Sequence, residues 1–74
     1  MRRDLKTKRE ALTDRQQQVA EGIAEGFTNE EIAHVLGISP RTVKAHSDAI
    51  KVKLGVKKRR HIPPALRERE GRWS

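Results

Sequence analysis

Twice in this chain a helix stop is followed within two residues by a helix start: Gly26 precedes Thr28, and Gly37 precedes Ser39-Pro40. Glycine takes the left-handed conformation that ends helices at little cost. Thr28 with Glu31, and Thr13 with Gln16 upstream, have the capping-box spacing, in which each side chain satisfies an otherwise orphan backbone N–H. Ser39 is an N-cap residue, and Pro40 sits at the first helical position, where its missing N–H costs nothing. Punctuation this dense leaves room only for short helices joined by tight turns.

The apolar residues agree. Val19, Ala20, Ile23, Ala24 and Phe27 follow Thr13 at one-face helical spacing. Ile32, Ala33 and Leu36, with Val35 beside them, follow Thr28. Val43, Ile50 and Leu54, with Ser47 near the same stripe, define a third helix over about 40–54 that Gly55 stops. Gly22, inside the first helix, is either a mild cost or a close contact with another helix. Beyond Gly55, Val56 reads as a buried plug, and Pro63-Pro64 can start but not sit within a short fourth helix over 64–70, carrying Ala65 and Leu66. No segment alternates as a strand does. The predicted fold is all-α: a small helix-turn-helix bundle of three to four helices over residues 12–70. A flexible basic arm (1–11) precedes it and a fraying tail (71–74) follows, with Trp73 able to fold back. The predicted core is Val19, Ile23, Phe27, Ile32, Leu36, Ile38, Val43, Ile50 and Leu54.

Size and composition exclude most chemistry. With 74 residues, 34% hydrophobic and 3% aromatic, the chain is one small domain with little room for a deep, enclosed pocket. It has no cysteine, hence no disulfide scaffold and none of the common structural zinc sites. His34, His46 and His61 lack ligand spacing, and no Ser/His/acid or glycine-rich phosphate motif is present. The expectation is no enzyme, no metal and no cofactor. No apolar run approaches the ~20 residues of a membrane span, and nothing resembles an export signal. The chain is therefore expected in the cytoplasm, with no membrane partner.

Charge is segregated. Residues 14–36 carry five acids against one base, whereas residues 37–61 carry eight bases against one acid, Asp48. The second segment alone holds a charge equal to the net +7 of the chain. Such a basic stripe is the electrostatic footprint of a nucleic-acid binder, unless it is simply a solvated surface.

The two features meet at residues 29–50. Ala33 allows close approach of two helices, Gly37 takes the turn between them four residues later, and Val43 anchors the next helix. With Ile32, Leu36 and Ile38 they fit a DNA-binding helix-turn-helix. On a wheel of 100° per residue, Ser47, Ile50 and Leu54 fall within ~40° of Val43. Arg41, Lys44, Ala45, Asp48 and Lys51 fall between ~80° and ~200°, on the outward face. A recognition helix presents its N-terminal half to base edges, which selects Arg41, Lys44, Ala45 and Asp48. Lys44 can donate to guanine O6 and N7, Asp48 can accept from cytosine N4, and Ala45 can touch a thymine methyl. Lys51, further along, and the run Lys57, Lys58, Arg59, Arg60 are expected at phosphates. Asn29 is either a helix-start residue or a phosphate donor. The bases of the arm either track DNA or are solvated.

The chain resembles the LuxR-type (GerE-like) helix-turn-helix domain of bacterial transcription regulators. The resemblance rests on Leu12-Thr13-x-Arg15, Gly26-Phe27-Thr28-Asn29-x-Glu31-Ile32-Ala33, Leu36-Gly37-Ile38-Ser39, Thr42-Val43-Lys44-x-His46, Ile50 and Lys53-Leu54-Gly55-Val56. It implies four helices, the third in the DNA major groove, and a fourth that often makes a dimer. It also implies that Thr42 and His46 lie at the DNA backbone, although for His46 a half-buried packing role stays open. The chain departs from the family in having Gln16 and Gln18 where glutamates are usual, and Glu30 where lysine is common. Pro63-Pro64 delays the fourth helix, so residues 63–70 are expected to give at best a weak homodimer. The usual N-terminal receiver or sensing domain is missing, which reads as a free-standing module.

The leading expectation is a sequence-specific regulator of transcription that binds double-stranded DNA. Two others remain open. One is a small interaction factor that docks on RNA polymerase or another regulator through Glu21, Glu25, Glu30 and Glu31. The other is a DNA-packaging or recombination accessory protein.

Overall fold

The computed structural model describes residues 12–73, with side chains described through Glu68. The basic arm, the Trp73 side chain and Ser74 lie outside the described residues. Helix α1 (Asp14–Ala24), α2 (Asn29–Leu36), α3 (Pro40–Leu54) and α4 (Ile62–Trp73) follow one another, with a single 3₁₀ turn (Arg59–His61) leading into α4. No strand occurs among the described residues, so the fold is all-α.

The helix starts follow the capping chemistry. Gln16 N donates to Thr13 Oγ1 at 3.1 Å, while Thr13 N donates to Gln16 Oε1 at 3.1 Å. At α2 the Glu31 N–H donates to Thr28 Oγ1 at 3.1 Å and the Thr28 N–H to Glu31 Oε1 at 2.8 Å. At α3 the Thr42 N–H donates to Ser39 Oγ at 3.1 Å, and Pro40 occupies the first turn. The stop after α2 is sharp. Gly37 takes φ 69 and ψ 34, a left-handed conformation that L side chains adopt only with strain. The Ile38 N–H then donates to Ala33 O at 3.0 Å, so three residues suffice to turn α2 into α3.

The core is drawn from all four helices: Val19, Ala20 and Ile23 on α1, Ile32 and Ala33 on α2, Val43 and Ile50 on α3, Ile62 and Leu66 on α4. Leu12, Leu36, Ile38, Leu54 and Val56 surround it, partly buried. The expected core thus needs correcting in two places. Leu36, Ile38 and Leu54 close its margin rather than lie inside, and Phe27 is not in it, with 42% of its surface exposed. Phe27 falls after the end of α1 and before the Thr28 cap, so the helical stripe that predicts its burial no longer applies to it. Val35, beside the buried face of α2, is 68% exposed.

Helix α4 is longer than expected, running from Ile62 through Trp73 rather than over 64–70. Pro63 and Pro64 fall in its first turn, where a backbone N–H has no intrahelical acceptor to lose. The anchor is Ile62, fully buried together with Leu66 against α1 and α3. Helices α1 and α2 approach closely at Gly22. A Cβ added there would stand 2.8 Å from Ile32 Cγ1 and 3.1 Å from Cδ1, so the contact-point reading of this glycine holds.

Candidate nucleic-acid interface

Helix α3 is one-sided. Val43, Ser47 and Ile50 are buried. Arg41, Lys44, Ala45 and Asp48, expected at base edges, are all exposed. The hydroxyl of Ser47 sits in the core without an orphan polar atom because it donates to Lys44 O at 3.2 Å. This internal bond lets a small polar residue fill a core position of α3.

The outward face carries a charge cluster. Asp48 lies between two lysines: Lys44 Nζ is 3.4 Å from Oδ2 and Lys51 Nζ 3.4 Å from Oδ1. The hydrogen bond from Lys44 holds the Asp48 carboxyl below its ordinary value, against the opposing effect of desolvation and with further help from the charge of Lys44 and from Lys51. Two of the four expected base readers, Lys44 and Asp48, are therefore paired with each other. Of the residues expected at the DNA backbone, Thr42 is exposed, with Oγ1 2.9 Å from Ser39 Oγ. His46 and Lys51 are half-buried.

A second cluster forms where the starts of α2 and α3 meet. An open cleft of about 700 Å³ there is lined by Phe27, Thr28, Asn29, Glu30, Pro40, Arg41, Lys44 and Arg59. It gathers three cations beside the N-terminal end of α2, where the helix dipole favours an anion. Glu30 is the one opposing charge in the lining. Arg59 reaches the cleft from the 3₁₀ turn. Its guanidinium donates to Asn29 Oδ1 and, at 2.9 Å, to Phe27 O. The structure thus brings two of the expected backbone contacts, Asn29 and Arg59, onto each other. Lys57, Lys58 and Arg60 are exposed on the same connection but do not line the cleft.

Sequence reasoning missed Phe27 as a cleft wall, and it missed the clamp that Arg59 makes on the start of α2. The first had a signal. Phe27 directly precedes the Thr28 cap, and Ile32 stands four residues after that cap, the spacing of a hydrophobic staple. The second had none, because the partners are 30 positions apart. A third unforeseen link ties α3 to α1: Lys53 Nζ donates to Gln16 Oε1 at 2.7 Å.

A family model described as bacterial regulatory proteins, luxR family, matches residues 10–63. The chain is 47% identical over 49 residues to the transcriptional regulatory protein UhpA of Escherichia coli (strain K12), a stretch covering 66% of this chain and 25% of that protein. UhpA of Salmonella typhimurium matches to the same extent. The transcriptional regulatory protein FixJ of Rhizobium meliloti is 34% identical over 59 residues, covering 80% of this chain and 29% of its own. The chain thus spans about a quarter of the length of these curated relatives. No solved structure matches it.

Proposed function

The chain belongs to the luxR family of bacterial regulatory proteins, and on that premise we propose that it is a sequence-specific, double-stranded DNA-binding regulator of transcription. In this reading α3 lies in the major groove. An α-helix with its side chains is ~10–12 Å across and the groove ~12 Å wide, so one helix fills it. Lys44 donates to guanine O6 and N7, Asp48 accepts from cytosine N4, Ala45 meets a thymine methyl, and Arg41 reads from the first turn. Lys51, Thr42, His46, Asn29 and the run Lys57, Lys58, Arg59 and Arg60 take phosphates, which supply affinity through counterion release and carry little sequence information.

The observation that carries this reading is the one-sidedness of α3. Its buried residues are apolar or internally bonded, while its exposed N-terminal half presents three charged side chains and a small apolar one. Asp48 argues for base reading over general attraction, because a carboxylate on a merely cationic face would repel phosphate. A homodimer through residues 63–70 is at best weak, since Ile62 and Leu66, the buried apolar anchors of α4, serve the protein's own core.

Selection of bound duplexes from a random DNA pool tests the proposal. The expected result is one enriched half-site, whose preference relaxes at a single base pair in Lys44→Ala with a loss of ~1–3 kcal/mol on that site. A pool that stays random, or an enrichment that Lys44→Ala leaves intact, refutes the assignment.

A further inference from the structure

The face that DNA would repel is also built. Between α1 and α2 runs a groove of about 410 Å³ whose walls include Phe27, Val35 and Leu36 and whose rim carries Glu21 and Glu25. Phe27 and Val35 also form a wall of an adjoining hollow rimmed by Glu30 and Glu31. Two of the most exposed large apolar side chains among the described residues therefore stand between four carboxylates, with no lysine or arginine in either lining. Among the described residues both ion pairs lie on α3, and none pairs these glutamates with a described cation.

This arrangement is not what solubility requires. The chain carries a net charge of +7, and a solvated acidic face needs no apolar floor. Exposed apolar surface framed by charge of one sign marks a binding surface, and its electrostatics select the partner by complementarity. We propose that the α1–α2 groove docks a basic amphipathic helix of another protein, one that seats a large aliphatic side chain between Phe27 and Val35 and places lysines or arginines against Glu21 and Glu25. Phe27 also lines the cleft that holds Arg41, Lys44 and Arg59, so the docked helix stands beside the nucleic-acid face. A partner held there adds contacts along the same stretch of DNA without competing for α3.

The test uses the full chain, labelled with ¹⁵N, and a synthetic 18-residue helical peptide with a leucine stripe flanked by lysines. Three things are expected: saturable shifts of the amide signals of Gly22, Phe27 and Val35; unchanged binding when a duplex is already bound; and a roughly tenfold weaker peptide affinity for the double variant Glu21→Gln/Glu25→Gln or for Val35→Asn. The tenfold figure corresponds to about 1.4 kcal/mol, the scale of a few exposed charge pairs. Both sets of changes lie on exposed positions, and thermal unfolding of each variant is the check that it folds.

Shifts that persist with a peptide whose leucines are replaced by serine mean charge attraction alone and overturn the proposal. So does competition between peptide and duplex, or an absence of shifts. Concentration-dependent shifts at the same amides without peptide would make the occupant a second copy of this chain and also overturn it. Duplex binding is read in the same samples, so a failed groove and a failed DNA reading give different results.

Discussion

Replacing Gly22 by alanine sets two effects of opposite sign against each other. In the interior of an exposed helix the change gains up to about 1 kcal/mol, because alanine loses less backbone freedom on folding. Here the new Cβ would stand 2.8 Å from Ile32 Cγ1, 3.1 Å from Cδ1 and 3.8 Å from Cγ2. Carbon atoms sit comfortably at ~3.5–4.0 Å, so Ile32 must retreat by roughly 0.7 Å. It is 2% exposed, its β-branched side chain has little rotamer freedom in a helix, and the capping box and Gly37 fix α2 at both ends. Overpacking of this kind costs ~1–3 kcal/mol. The net expectation is a loss of about 1 kcal/mol, which in a domain of this size lowers the melting temperature by ~4–8 °C. Thermal unfolding followed by circular dichroism measures it. Ile32→Val supplies the control: it removes the Cδ1 contact and lets the shorter branch give way, so Gly22→Ala should cost ~0.5–1 kcal/mol less in that background. If Gly22→Ala melts above the parent, or if the two changes add without coupling, the α1–α2 contact is not as tight as described.

Five further outcomes are expected. Val43→Asp should abolish the cooperative melt, because position 43 is fully buried and an unpaired charge there is very costly. Lys51→Ala should weaken specific and non-specific duplexes alike and flatten the salt dependence by about one unit of slope, read by anisotropy titrations at several salt concentrations. Asp48→Ala releases Lys44 and Lys51 from their shared partner, so non-specific affinity should rise while the selected site weakens; equal tightening on both would remove Asp48 from base reading. The Asp48 carboxyl is held below its ordinary value, so these ion pairs contribute fully at neutral pH and are lost only as pH falls below the ordinary carboxylate range through the folded value. Sedimentation at micromolar concentration should show an 8.5 kDa species; a stable dimer would overturn the weakness expected of it, and one that survives Arg67→Glu/Glu68→Arg on the exposed side of α4 would exclude α4 as its interface.

What the sequence made legible follows the range of the forces involved. The starts of α1, α2 and α3 could be read from Thr13, Thr28 and Ser39 because a cap is settled within three residues. The outward face of α3 could be read because a helix converts spacing into direction. The weight of α4 in the core could not. Ile62 directly precedes two prolines that read as a delay, whereas the first turn of a helix tolerates both, and only docking against α1 and α3 gives Ile62 its burial. Phe27 failed for a related reason: the stripe places it inward, but the chain leaves the helix before reaching it. At the candidate interface, the membership of Arg41 and Lys44 came from the wheel. The arrival of Arg59 beside Asn29 depends on how the chain returns after Gly55, which no local pattern encodes.

That return bears on how the basic run is used. Binding immobilises long side chains, at ~0.5–1.5 kcal/mol for each one with many rotamers. Lys57, Lys58 and Arg60 are exposed on the surface and have that freedom still to lose. Arg59 has lost it on folding, because its guanidinium is already fixed to Asn29 and to the carbonyl of Phe27. Two contacts leave part of its fork of five N–H donors unspent. Among four neighbouring cations of similar charge, Arg59 is therefore the one that, in the proposed DNA complex, would meet a phosphate with the smallest entropic penalty, from a position set before the duplex arrives.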